Sequence, residues 1–311
     1  MLNKICGLSA CSLIILITVI IRPSTYHHIE ESNQIRNLSL TSDTELTTIS
    51  EELFDKSSHE LFSHIYINYQ GQTSLNNFID NAPKRLLNVS PNITLTLTTK
   101  CFVKLFDNYE LHTYKPEIIT KEENIEENEF IDNLMKTDVM LHVMYFLSVK
   151  GFFKNDVSVY KSTIKEIWFN LYSRTKGING SSGFEHVFIG EIKPHKGLIG
   201  LHNWIFFSNE ELSNKINYFG FSLNKEFAGK AAILETYFTY IGKRKMSSIF
   251  IGTTPELEMA LYTLCFFTRP NKRCKLSFAG FKFGIRTYVL QNNGKRLIGT
   301  AFPVLDKAYM N

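Results

Sequence analysis

Apolar residues recur at helical spacing through the first half of the chain and at strand spacing through the second. Over residues 128–150, Phe130, Leu134, Leu141 and Tyr145 share one side, and Thr137-Asp138 divides the segment. Tyr160, Ile164, Ile167, Trp168, Leu171 and Tyr172 follow the i, i+4, i+7, i+8, i+11, i+12 rule of an amphipathic helix. A further helix is predicted from Pro255, a first-turn proline after Thr254, with Leu257, Ala260, Leu261 and Leu264 on its apolar face. These stripes read as core. After about residue 175 the pattern becomes β-rich and aromatic. Strands are predicted over Phe184–Ile192, Leu201–Phe207, Ile233–Ile241, Ser248–Ile251, Gly284–Leu290 and Leu297–Val304. Asn293-Gly294 between the last two is a hairpin signal. Helices first and strands second indicate an α+β fold, a helical N-terminal part followed by antiparallel β-sheets, not a βαβ alternation.

The ends of the pattern set the domain limits. Lys4 precedes an apolar run from Ile5 to Ile21. Its length suits a signal-peptide core and is marginal for a spanning helix of roughly 20 residues. Residues 1–24 are therefore a cleaved leader, cut near Ser24, or a retained type II membrane anchor through residues 5–21. Residues 25–49 are rich in Ser, Thr, Asn and Glu and read as a polar linker. The globular pattern occupies 50–308, with no internal repeat. Secretion is the expected destination, and N-x-S/T sequons stand at Asn37, Asn88, Asn92 and Asn179. Cys6 and Cys11 lie in the leader. Of Cys101, Cys265 and Cys274, the last two flank a polar stretch and are placed to close a short loop; three buried thiols are the alternative. No pair has zinc-site spacing.

Composition narrows the picture only a little. Hydrophobic residues make up 44% and charged residues 21%, which supports a packed core and excludes global disorder. A formal charge of +4 is too small to identify a nucleic-acid binder on its own.

The chemistry is concentrated in one stretch. Gly183–Lys193 carries His186 with Glu185 and Glu191, and His202 follows after a polar turn holding Pro194, His195, Lys196 and Gly197. A hairpin there brings the two histidines together. In a regular strand, alternation would put Glu185 and Glu191 on the face opposite His186, unless Gly190 marks a bulge. Two histidines suit RNA cleavage by its own 2′-hydroxyl, one as base and one as acid, because imidazole holds or lacks its proton near neutrality. A cation for the developing phosphorane charge is offered by Lys243, Arg244 and Lys245. The bland readings are a core histidine and a charged hairpin tip. A metal site from His186, Glu191 and His202 matches no strong motif.

The strings FEHVFIGEIK (184–193), GLHNWI (200–205), FIGTTPELEMALYTLCFF (250–267) and IGTAFP (298–303) together resemble the signature blocks of the EndoU, or poly-U-specific, endoribonuclease family. LFDNY (105–109), the Phe130–Leu134 region and IWFNLYSR (167–174) are similar to it as well. The likeness covers about residues 50–308 and extends distantly to the coronavirus uridylate-specific endoribonuclease. It implies a two-lobed catalytic domain that cuts single-stranded RNA at uridylates and leaves 2′,3′-cyclic phosphate ends, stimulated in many members by Mn2+, with ligands unspecified. It implies His202 as base and His186 as acid, with exchange of roles open. Glu185 and Glu191 match the family's acidic positions and Ser248 its serine. Thr300 matches a threonine that helps bind the uracil-bearing nucleotide, and Asn203 and Trp204 match scaffold positions. Counted without a gap, the family lysine falls on Arg244; a one-residue deletion makes it Lys245, the preferred assignment, and a bulge offers Lys243. Phe302 stands where many members have tyrosine. A non-catalytic RNA- or protein-binding module is the alternative function, and a monomer is expected.

Overall fold

The computed structural model describes residues 41–305 apart from 75, 77 and 92–94. The leader, residues 25–40 of the linker and residues 306–308 of the expected domain lie outside the described residues, as do the sequons at Asn37 and Asn92.

Helix α1 (Asp43–Lys56) begins inside the segment expected to be linker. The reason is local. The Ser42 hydroxyl accepts from the Glu45 amide at 3.1 Å, and the Glu45 carboxylate accepts from the Ser42 amide at 2.8 Å. This capping box starts a helix whose Leu46, Ile49, Leu53 and Phe54 are buried. A single turn (Glu60–Ser63) and the short pair β1 (Ile65–Ile67) and β2 (Leu87–Val89) follow. Then come α2 (Leu97–Lys104), α3 (Lys121–Leu134), α4 (Asp138–Val149) and α5 (Val157–Phe169). The break between α3 and α4 falls where Thr137 caps α4, its hydroxyl accepting from the Met140 amide. Helix α5 stops before Leu171 and Tyr172, which lie beyond its end at Asn170.

The second half is antiparallel, with two small hairpins before the main sheets. β3 (Ser173–Thr175) pairs β4 (Ile178–Asn179), and β5 (Glu191–Lys193) pairs β6 (Gly197–Ile199). After α6 (Trp204–Leu212) come β7 (Ile216–Phe227), β8 (Ala231–Tyr240) and β9 (Lys243–Ile251) in one sheet. Helix α7 (Pro255–Thr268) leads to β10 (Arg273–Phe278), β11 (Phe281–Asn292) and β12 (Lys295–Val304) in another. Strand β7 has no clean alternation because its register with β8 shifts near Gly220 and again near Ser222. Packing of α4 on α7 and of α1 on β10 ties the helical part to the second sheet. The Cys265–Cys274 disulfide joins the end of α7 to β10, while Cys101 is a buried thiol. This is the expected α+β architecture.

Two predicted strands are not strands. Residues 204–212 are helical because Asn203 caps them: its side-chain oxygen accepts from the amides of Ile205 and Phe206, both at 3.0 Å. That local cap outweighs the β preference of the aromatic run. Residues Glu185–Ile189 form one π-helical turn, closed by the Gly190 amide donating to the Glu185 carbonyl at 2.8 Å, and only Glu191–Lys193 is extended.

Candidate active site

The π turn brings His186 and both acids into one buried group. The Ser182 hydroxyl accepts from the Glu185 amide at 3.1 Å and starts the turn. Gly190 ends it with φ +93°, a conformation that costs an L side chain energy. The chain thus doubles back, and Glu191 meets His186 instead of facing away from it. The expected opposition of the acids to the histidine therefore fails for Glu191. The second histidine arrives through the β5–β6 hairpin. The Leu201 amide donates to the His186 carbonyl at 3.0 Å, and the His202 amide to the Val187 carbonyl at 2.7 Å. Gly200 allows this approach: a Cβ there would sit 1.9 Å from the His186 carbonyl oxygen. The imidazole centroids end 6.4 Å apart.

Each ring is anchored through Nδ1, with Nε2 left to meet a substrate. At His186, Nδ1–H donates to the Glu191 carboxylate at 2.8 Å. Glu191 also takes an ion pair from Arg174 Nε at 2.9 Å. Arg174 is itself fixed by the Ser181 and Tyr172 hydroxyls and the Gly299 carbonyl. Burial, opposed by Arg174, pushes Glu191 up to about 7. Glu185 is buried beside it. Burial and the like charge of Glu191 hold it well above the usual carboxylate range, and its oxygens find no hydrogen-bond donor among the described residues. At His202, the neighbours of Nδ1 are the Ser247 hydroxyl at 2.8 Å and the Ser248 carbonyl at 3.2 Å. The Ser247 hydroxyl donates onward to the Leu201 carbonyl at 2.6 Å, so it accepts from Nδ1–H. Burial, with Arg174, Lys245 and Lys193 nearby, holds His186 well below the ordinary histidine value. Burial and Lys245 do the same to His202.

Strand β9 settles which of its cations faces the histidines. Lys245 lines their cavity and is pushed down to about 8 by burial. Arg244 points the other way, its guanidinium 5.4 Å from the centre of the Phe78 ring. Lys243 lies at the exposed strand start, opposite Tyr240. The cavity, about 520 Å³, is also lined by Lys193, Lys196, Glu235, Ser248, Thr300 and Phe302. The hydroxyls of Ser248 and Thr300 are buried and make no hydrogen bond among the described residues. Phe302 stacks on His202, ring centres 4.9 Å apart. Asn203 and Trp204 face the interior. The Asn203 amide donates to Glu258 at 3.3 Å and the Trp204 indole to the Thr253 carbonyl at 2.8 Å. Burial pushes Glu258 up to about 8.

Among the described residues no cluster of three or more His, Cys, Asp or Glu side chains is placed to hold a metal ion. Glu191 is committed to Arg174 and His186, so the weighed set of His186, Glu191 and His202 does not fit a manganese ion.

Reasoning on the sequence missed Arg174 and Ser247. Arg174 closes the string IWFNLYSR and is the last arginine before the histidines, which is a usable signal. Ser247 adjoins the Ser248 position and gave none, since only the strand's position beside His202 shows its contact.

Comparison with known proteins places this geometry. Residues 45–303 match the model of the family Endoribonuclease XendoU. The chain is 36% identical over 276 residues to uridylate-specific endoribonuclease D of Xenopus laevis, covering 84% of this chain and 89% of that protein. It is 36% identical over 282 residues to uridylate-specific endoribonuclease B of Danio rerio, covering 86% and 98%. The solved structure of XendoU, described as a splicing-independent snoRNA-processing endoribonuclease, superimposes with a TM-score of 0.69 at 30% identity, over 85% of this chain and 97% of that one. A fold, a family match over most of the chain and a complete two-histidine cavity agree, and the protein belongs to the XendoU family of endoribonucleases.

Proposed function

We propose that the protein cleaves single-stranded RNA on the 3′ side of uridylates by attack of the 2′-hydroxyl on the adjacent phosphorus. The observation that carries this is the pair of Nδ1-anchored histidines facing one cavity with a half-buried lysine whose charge reaches both rings. His202 Nε2 takes the 2′ proton. The 2′-oxygen bonds to phosphorus, the P–O5′ bond breaks, and the leaving 5′-oxygen takes a proton from His186 Nε2. The products are a 2′,3′-cyclic phosphate and a 5′-hydroxyl. The partners at Nδ1 support these roles. Neutral oxygens hold His202 in the tautomer whose Nε2 carries the lone pair. The Glu191 carboxylate favours a second proton on His186 once the substrate phosphate adds its own negative charge. Lys245 offsets the charge gathering on the phosphorane.

Base choice is supported by Ser248, Thr300 and Phe302. A hydroxyl both donates and accepts, which matches the alternating O2, N3–H and O4 edge of uracil. A phenyl ring supplies a stacking face. The relatives named for uridylate specificity point the same way. Manganese stimulation remains the family's implication, and no step above passes through a metal. The Cys265–Cys274 bond fits a secreted or luminal protein. No described helix is long and apolar enough to cross a membrane.

The test is cleavage of an oligonucleotide with one uridine by the wild type, His186→Ala and His202→Ala, each with and without manganese. Cyclic-phosphate product from the wild type alone is the expected result. No cleavage by folded wild type would point to the binding-module reading.

A further inference from the structure

Four cations line the cavity, and two of them have no task so far. Arg174 is bound to Glu191, and Lys245 sits beside the histidines. Lys193 and Lys196 line the same cavity from the β5–β6 hairpin, and neither pairs with a carboxylate among the described residues. The hairpin is a firm mount. The Ile192 amide donates to the Leu111 carbonyl at 2.7 Å, and the Thr113 amide to the Ile192 carbonyl at 3.1 Å. Its turn is closed by the Lys196 amide donating to the Lys193 carbonyl at 3.1 Å, with His195 at φ +61°. Two unpaired ammonium groups held on one short turn beside a phosphate-cleaving site are matched by a second phosphate of the same strand.

The geometry also gives a direction. Lys193 follows Glu191, the partner of His186, by two residues on the same short strand, and its charge acts on His186. His186 is the acid for the leaving 5′-oxygen, so the leaving nucleotide lies on that side. We propose that Lys193 and Lys196 form a phosphate subsite for the linkage one nucleotide downstream of the cut. The enzyme would then read charge on the product it releases with a 5′-hydroxyl. This rests on the endoribonuclease reading and on the assignment of His186 as acid.

The experiment uses a DNA oligonucleotide with a single ribouridine, so that one bond alone can be cut. A neutral methylphosphonate replaces the first phosphate downstream of that bond, or the first upstream. For the wild type, the downstream replacement is expected to raise KM about fivefold and the upstream one less than twofold, by loss of one phosphate contact. In the Lys193→Ala/Lys196→Ala variant, KM for the all-phosphate oligonucleotide rises, and the downstream replacement costs nothing further. The Lys193→Arg/Lys196→Arg variant restores the difference. The subsite is refuted if the downstream cost persists undiminished in the alanine variant, or if the variant instead loses sensitivity to the upstream replacement. Failure of the wild type to cut the unmodified oligonucleotide would refute the endoribonuclease reading itself.

Discussion

His186 and His202 are the same residue in the same cavity, both buried and both anchored through Nδ1, yet the anchors differ in kind. One is a carboxylate braced by a guanidinium. The other is a serine hydroxyl and a backbone carbonyl. A carboxylate favours the doubly protonated ring, whereas neutral oxygens fix a tautomer without favouring a second proton. The difference teaches that the proposed roles of acid and base rest on what holds the far nitrogen. One anchor is local and the other is not: Gly190 turns Glu191 back onto one ring, while the path of β9 lays Ser247 and Ser248 against the other.

The sharpest way to break this comparison is to remove the need for an acid. His186→Ala and His202→Ala should each lower kcat on RNA by about 10²–10⁴-fold. On uridine 3′-(4-nitrophenyl phosphate) the leaving phenolate needs no proton. There His186→Ala should recover to within about tenfold of wild type, while His202→Ala should not. Recovery by His202→Ala in its place would invert the assignment.

Lys245 serves both rings and should cost nearly as much. Lys245→Ala is expected to lose about 10²–10³-fold in kcat. Its pH dependence carries a sign. Burial holds its pKa at about 8, so it is charged below that pH and neutral above it. Wild-type kcat should therefore fall as pH rises through 8. Lys245→Arg should keep part of the activity and lose that fall, because a guanidinium stays charged. A basic limb that survives in the arginine variant would assign it to another group.

Glu191→Gln keeps the shape at Nδ1 and removes the charge. A hydrogen bond to a charged group is worth about 1.5–3 kcal/mol, so kcat on RNA should fall about 10- to 100-fold. The loss should vanish with the nitrophenyl leaving group, as for His186→Ala. A loss equal on both substrates would mean that Glu191 supports the fold around Arg174 and does not tune the acid.

How much of this was legible beforehand follows from the range of the interactions. Pro255 after Thr254, Thr137-Asp138 and Asn293-Gly294 each act within a few residues, and α7, the α3–α4 break and the β11–β12 hairpin lie where they indicate. Motif blocks carried His186, His202 and the neighbourhood of Lys245. The π turn escaped notice because Phe184–Ile192 has strand composition, and only its burial under the helices and the closure at Gly190 make it helical. Helix α6 is hidden for a like reason: its aromatic run has strand composition, and the Asn203 cap alone marks its start. Strand alternation grouped Lys243 with Lys245, but only the placement of β9 against the His202 loop shows which of the two reaches the rings. Pairings between distant residues, such as Arg174 with Glu191 and Ser247 with His202, have no local signature at all.

The smallest effect tests the other half of the comparison. Ser247→Ala removes one acceptor from His202 Nδ1–H and leaves the Ser248 carbonyl in place, so the productive tautomer stays favoured. A neutral hydrogen bond contributes about 0.5–1.5 kcal/mol, which sets the expected loss in kcat at roughly fivefold. Because the defect lies with the base, the nitrophenyl substrate should not relieve it, in contrast to Glu191→Gln. Ser247→Asp turns the question round. A carboxylate at that position would give His202 the kind of anchor that His186 has, raising its pKa and moving the acid limb of the kcat profile to higher pH. If the limb stays where it is in the wild type, the anchors do not set the roles, and the two histidines must be told apart by substrate placement alone.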